Sequence, residues 1–172
     1  DGTCLYGKVI PPLGGDTLYT NQQAALAAMP AELRAKIDGK VGIHSARGGY
    51  APDGQYGDDD ADRSMQIRPN DSAYATQLHP LIRTHPETGA ETLYSTIGYI
   101  IGIDGMDDDD ARLLLGEMYA WQTRDEFQYQ HRWEPNMLVM WDNRCVLHRA
   151  TGGYDGYDRL LHRTTIGYRA IA

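Results

Sequence analysis

Cysteine, basic charge and long apolar runs are all scarce in this chain, and each scarcity removes a class of protein. The two cysteines, Cys4 and Cys145, stand far apart, so no disulfide framework of the small secreted kind is expected. Each falls in an apolar, strand-like run where buried free thiols are common, and a reducing cytoplasm is the expected compartment. Sixteen Lys and Arg against 24 Asp and Glu leave a net charge of −8 with no basic stripe, which argues against nucleic acid as a partner, since that binding draws on clustered cations. No apolar run reaches the roughly 20 residues a membrane-crossing helix needs, and residue 1 does not begin a signal peptide. The six histidines show no H-x-x-x-H, H-E-x-x-H or Cys-x-x-Cys spacing, and there is neither a G-x-S-x-G elbow nor a P-loop. Zinc hydrolase, serine hydrolase and nucleotide-binding readings therefore lack support.

What is present is glycine, tyrosine and local acidity, with 19 Gly and 12 Tyr in 172 residues. That composition suits one soluble, strand-rich domain with a single core. The acidic runs Asp58–Asp60 and Asp107–Asp110 lack the alternating oxygens and glycine of a calcium loop and read as a solvated turn and a helix start.

Thr3–Ile10 reads as a strand ended by Pro11 and Pro12. Gly14 and Gly15 then permit a tight turn before Asp16, Thr17 and an extended run to Thr20. Asn21 is placed to cap a helix carrying Ala25, Leu26 and Met29, and Pro30 to open a second carrying Leu33, Ile37 and Val41. Residues 46–75 are polar and glycine-rich, a long loop or lid within the single domain 1–172. His79–Ser95 reads as two strand-like runs about a PETGAE turn, followed by the apolar run Ile97–Ile103. In Ala111–Thr123, Leu113, Leu114, Met118 and Trp121 recur at helical spacing as a core stripe. From Phe127 to Tyr168, apolar and polar residues alternate through three or four antiparallel strands. The fold class expected is mainly β with peripheral helices, a sandwich or barrel with jelly roll the natural choice.

The chemistry concentrates in Trp141–Arg163. If Asp158–Tyr168 is a strand, Arg159, Leu161, Arg163 and Thr165 share one face. Two guanidinium groups on an inward face need anions, and their planar fork suits a carboxylate; salt bridges to Asp142 or Asp155 are the competing account. His148 ends the run before the turn at Gly152, Gly153 and Gly156, and a lone histidine is more often a structural or surface group than a ligand.

Three stretches in the same order, GGDTLYT at 14–20, HPLIRTHPETG at 79–89 and WDNRCVLHRATGGYDGYDRLLHRTTI at 141–166, closely resemble the TauD/TfdA family of Fe(II)/2-oxoglutarate-dependent dioxygenases. The resemblance implies a double-stranded β-helix, or jelly roll, holding Fe(II) by two histidines and a carboxylate, with 2-oxoglutarate and O2 as cosubstrates. It makes His148 the distal histidine ligand and catalytic metal residue. It assigns Arg159 to the far carboxylate of 2-oxoglutarate, Thr17 to its support, Trp141 to packing beside it, and Arg163 to the anionic group of a small substrate. Sulfonates, alkyl sulfates and aryloxyalkanoates are the implied substrate classes.

The family's other two ligands form a His-x-Asp pair just before the first of these stretches, and no His-x-Asp occurs in residues 1–172. Asp1 falls several positions past the pair. The expectation is thus the C-terminal part of a longer jelly roll, incomplete at its N-terminus, whose exposed strand edges favour association into a homo-oligomer. The alternative is a noncatalytic jelly-roll anion-binding module, a degenerate oxygenase without metal.

Overall fold

The computed structural model describes residues 2–57 and 67–167. In chain order its elements are β1 (Gly2–Val9), β2 (Thr17–Asn21), α1 (Gln22–Ala27), α2 (Ala31–Ile37), β3 (Val41–Ser45), α3 (Arg47–Tyr50), a 3-10 turn at Asp71–Tyr74, β4 (Thr76–Pro80), β5 (Ile82–Thr84), β6 (Glu91–Leu93), β7 (Ile100–Ile103), α4 (Asp108–Gln122), a second 3-10 turn at Asp125–Phe127, β8 (Gln128–His131), β9 (Leu138–Asp142), β10 (Val146–Ala150) and β11 (Leu160–Ile166). Strands outnumber helices, and among the described residues no helix is long and apolar enough to cross a membrane.

Local chemistry accounts for the boundaries. The side-chain oxygen of Asn21 accepts from the amides of Gln23 and Ala24, each at 3.0 Å, so α1 starts where an N-cap removes two orphan donors. Pro30 caps α2, which ends before Gly39 at φ 69°. Val41 is therefore not on the second helix, as the apolar spacing suggested; it opens β3, because a left-handed residue terminates the helix first. In α4 the Asp107 side chain accepts from the amide of Asp109 at 2.9 Å and three aspartates fill the first turn, a favourable charge at a helix N-terminus. Ala111, Leu114 and Met118 are buried, whereas Leu113 is 71% exposed; the buried stripe follows positions i, i+3 and i+7 and leaves Leu113 on the outer side.

The chain forms two compact units, one from Asp1–Ala28, Thr84–Thr92 and Gln122–Ala172, the other from Met29–Arg83 and Leu93–Trp121. The first carries two antiparallel three-stranded sheets, ordered β11-β1-β9 and β10-β2-β8. Their inner faces meet where Tyr19 of β2 lies edge-on to Trp141 of β9, ring centroids 5.1 Å apart. Trp133 donates its indole N–H to the Thr17 hydroxyl at 3.0 Å, deep in the same interior. The glycine turn closes beside this core: Gly14 has φ 68° and a Cβ there would fall 2.2 Å from the Gly153 carbonyl oxygen, so the two glycine segments pack backbone to backbone in a way no side chain permits. The second unit packs α2 and α4 with the sheet β4-β3-β7 and buries Ile37, Leu81, Leu93, Ile103 and Met118. A Lys36–Glu117 ion pair at 2.8 Å joins its two helices.

Two further expectations need adjusting. Cys145 lies in the turn between β9 and β10 and not in a strand; it and Cys4 are both free and half-buried. The loop expected at 46–75 is described on both flanks, as α3 and the Asp71–Tyr74 turn, while its centre, including Asp58–Asp60, lies outside the described residues.

Candidate active site

Register places the candidate residues. In an antiparallel ladder directly opposed residues share a sheet face. Tyr19 opposes His148 on one side and Tyr129 on the other, and Thr17 opposes Ala150 and His131. Thr17 and Tyr19 are buried, so His148 and His131 stand on the inner face with them. In the other sheet buried Thr3 opposes Trp141 and Thr165, and Leu5 opposes Val139 and Arg163. Trp141 and Arg163 thus share the inner face of that sheet.

His148 is exposed, but one side of its ring packs against Trp141, centroids 4.7 Å apart. Partial desolvation, reinforced by the positive charge of Arg163, holds its pKa below the ordinary imidazole value. The ring is therefore neutral near pH 7, the form that can bind a metal. Tyr19 sits behind it, and burial pushes its phenol up to about 12.

Arg159 arrives by a route that alternation did not show. The strand expected from Asp158 starts only at Leu160, with a bulge between Gly7 and Val9 opposite its beginning, so Arg159 precedes the ladder and does not share the strand face of Leu161, Arg163 and Thr165. Its side chain is held instead by a bond from Nε to the Gly15 carbonyl at 3.0 Å. A Cβ on Gly15 would lie 2.9 Å from the Arg159 Cδ and Nε; glycine at that place, with φ 68°, makes the cradle. Because Nε is occupied, the two terminal nitrogens are left as donors. Neither Arg159 nor Arg163 pairs with Asp142 or Asp155 among the described residues, so the competing salt-bridge account fails. Thr17 accepts from Trp133, and its own hydroxyl bears on the neighbouring Tyr19 phenol.

Three buried polar atoms on this interior have no hydrogen-bond partner: Tyr19 Oη, His131 Nε2 and Trp141 Nε1. Buried polar groups are normally satisfied; Tyr19 and Trp141, rings 5.1 Å apart, thus fit an interior shaped for a polar ligand, with His131 on the other flank of Tyr19. His131, edge-on to Trp133 at 4.7 Å, was not singled out from sequence; the period-two alternation of Tyr129, His131 and Trp133 was the signal available. The set fits the far carboxylate of a dicarboxylic acid and one imidazole ligand of a metal. Among the described residues no group of three His, Cys, Asp or Glu side chains able to hold a metal includes His148.

Asp142, offered above as a partner for the site arginines, does different work. It accepts from Arg144 Nε at 2.9 and 3.1 Å and from His85 Nε2 at 3.1 Å, while Arg144 also bonds Glu87 at 2.8 Å. His85 Nδ1 receives the Thr88 amide at 3.3 Å and lies 3.4 Å from a Glu87 carboxylate oxygen. This ties the 85–88 turn to the bend that leads into β10 and hence to His148. His85, Asp142 and Cys145 also offer ligand atoms within 4.8 Å of one another, but Arg144 already neutralises the carboxylate and burial pushes the Cys145 thiol up, a poor setting for a cation. Arg144, with help from His85, holds the Asp142 carboxyl well below the usual carboxylate range. A depressed carboxylate adds stability that is present above its unfolded pKa, about 3.9, and is lost as pH falls through the folded value. Asp142→Asn is thus expected to lower the denaturation midpoint at pH 7 and to differ progressively less from the parent below about pH 4, measured by urea unfolding at both pH values. An equal deficit at pH 3 would contradict this.

A family model, "Taurine catabolism dioxygenase TauD, TfdA family", matches residues 1–165. The chain is 38% identical over 162 residues to the alpha-ketoglutarate-dependent 2,4-dichlorophenoxyacetate dioxygenase of Cupriavidus pinatubonensis, covering 94% of this chain and 53% of that protein. It is 29% identical to the alkylsulfatase of Acinetobacter baylyi, covering 94% and 50%. The crystal structure of a taurine dioxygenase from Burkholderia xenovorans superposes with a TM-score of 0.76 at 32% identity, covering 94% of this chain and 50% of that one. The chain spans about half the length of the curated relatives it matches. The likeness establishes the jelly-roll fold expected above.

Proposed function

Because the chain belongs to the taurine catabolism dioxygenase TauD, TfdA family, we propose that it serves an Fe(II)/2-oxoglutarate-dependent dioxygenase that hydroxylates a small anionic organic molecule. The observation that carries the reading is Arg159, anchored through Nε on the Gly15 carbonyl with its terminal nitrogens paired to no carboxylate among the described residues. That fork, with the Thr17 hydroxyl, suits the far carboxylate of 2-oxoglutarate. Trp141 packs beside it, and Tyr19, protonated at any ordinary pH, adds a hydroxyl to the same interior. His148 offers a neutral imidazole to iron. Arg163, on the same sheet face as Trp141, meets the anionic group of the substrate; the named relatives act on a phenoxyacetate and, by name, an alkyl sulfate and taurine.

With iron and O2 bound, the site supplies C–H hydroxylation coupled to conversion of 2-oxoglutarate to succinate and carbon dioxide. The protein's own part is to hold two anions at two arginines and to present the His148 imidazole against the packed rings of Trp141 and Tyr19. Residues 1–172 are read as part of one dioxygenase domain, with 46–75 as its loop or lid, acting in a reducing compartment that leaves Cys4 and Cys145 free. The test is succinate formation with a panel of aryloxyalkanoates, alkyl sulfates and sulfonates. Succinate is expected only with Fe(II), 2-oxoglutarate and O2 together. A folded protein that binds 2-oxoglutarate yet retains no iron and makes no succinate would leave the anion-binding module as the function.

A further inference from the structure

The second unit contains two histidines with no part in the site above. His44 of β3 and His79 of β4 lie on one face of the sheet β4-β3-β7: His79 opposes Gly42, two residues before His44, and residues two apart on a strand share a face. Their ring centroids are 5.2 Å apart at an interplanar angle of 67°. Gly42 makes the room, since a Cβ there would come within 3.1 Å of the His44 ring.

The hydrogen bonding of His44 defines what its ring can do. Nδ1 lies 3.3 Å from the Gly42 carbonyl oxygen, which only accepts, so Nδ1 carries the proton and Nε2 carries a lone pair. That Nε2 is buried and has no partner. An imidazole that donates one N–H to a backbone carbonyl and leaves the other nitrogen bare is the arrangement protein metal ligands adopt. Burial holds both imidazoles below the ordinary value, for His44 against the opposing pull of its bond to the Gly42 carbonyl.

Distance agrees with this chemistry. A tetrahedral ion with metal–nitrogen bonds of about 2.0–2.1 Å holds two imidazole centroids about 5 Å apart, close to the observed separation. Tyr94 closes the other side of the pair, edge-on to His79 at 5.1 Å and tilted to His44 at 5.7 Å. The guanidinium of Arg83 lies 4.3 Å over the Tyr94 ring. Among the described residues no carboxylate acts on either histidine, so the pair suits ions that favour imidazole over hard, oxygen-seeking cations such as calcium and magnesium.

We propose that His44 and His79 form a second metal site, separate from His148, which takes a borderline divalent ion such as Zn²⁺ through the two imidazoles with water completing its shell.

The probe is zinc alone. In a His148→Ala background, which removes the histidine of the first site, equilibrium dialysis should still find bound zinc. Adding His44→Ala or His79→Ala should weaken that binding at least tenfold, whereas His85→Ala should not. Histidine-selective NMR of the His148→Ala protein avoids any folding defect of the further variants: zinc should shift the His44 and His79 ring signals and leave His162 in place. Unchanged affinity in the His44 and His79 variants, or zinc binding that leaves both ring signals unmoved, would overturn the proposal. Neither readout depends on succinate formation, so failure here and failure of the dioxygenase reading are distinguishable.

Discussion

Arg159→Ala is expected to weaken 2-oxoglutarate binding about a hundredfold, because hydrogen bonds to a charged partner are worth roughly 1.5–3 kcal/mol and each 1.4 kcal/mol is tenfold in affinity. The size of the effect follows from how the residue is held. The bond from Nε to the Gly15 carbonyl fixes the stem before any ligand arrives, so little side-chain entropy is lost on binding. Alanine removes the charge, the fork and that anchor together. Arg159→Lys retains the charge but has neither the Nε donor nor the planar fork, and it should recover less than a tenth of the lost affinity. Titration calorimetry with 2-oxoglutarate measures both variants directly. An alanine variant that binds within threefold of the parent would remove Arg159 from the cosubstrate site.

How far the sequence shows this arrangement depends on which interaction sets each feature. Period-two alternation and turn residues locate β1, β2 and the four strands from β8 to β11, because sheet faces and glycine turns are written locally. Asn21 and Pro30 mark helix starts for the same reason. The end of α2 depends on which residue first turns left-handed, and spacing alone ran past Gly39 to Val41. Leu113 and Leu114 are neighbours of one residue type, yet only Leu114 is buried, since rotation of α4 against its surroundings decides the buried side. At the site, His148, Trp141 and Arg163 follow from strand faces. Arg159 does not: a bulge opposite the start of β11 takes it off the ladder and a contact with Gly15, 144 residues away, positions it. The role of Asp142 was equally hidden, because its partner Arg144 is two residues along and its other partner, His85, is 57 residues away. His131 escaped notice for want of any spacing motif; its significance lies in a buried nitrogen without a partner, which only three dimensions reveal.

The two inner-face histidines of the first unit give the sharpest contrast. In a protein that also supplies the family's other two ligands, His148→Ala should reduce iron retention, and succinate formation with it, by at least about a hundredfold, since even outer partners of metal ligands typically contribute 10–100-fold. The fold should survive. The β10–β2 ladder is held by backbone bonds from Val146 to Ala150, the His148 side chain is exposed, and the loss to the interior is two ring contacts, with Trp141 at 4.7 Å and Tyr19 at 6.5 Å. His131→Ala, across β2 on the other neighbouring strand, should behave in the opposite way. It takes out a half-buried ring packed on Trp133, so stability falls while iron stays bound, because His131 and His148 stand on opposite sides of Tyr19 and do not converge on one ion. Metal analysis after dialysis, beside thermal unfolding, separates the two. Iron retained by the His148 variant would take the metal off this histidine, and iron lost only in the His131 variant would move the site across the sheet.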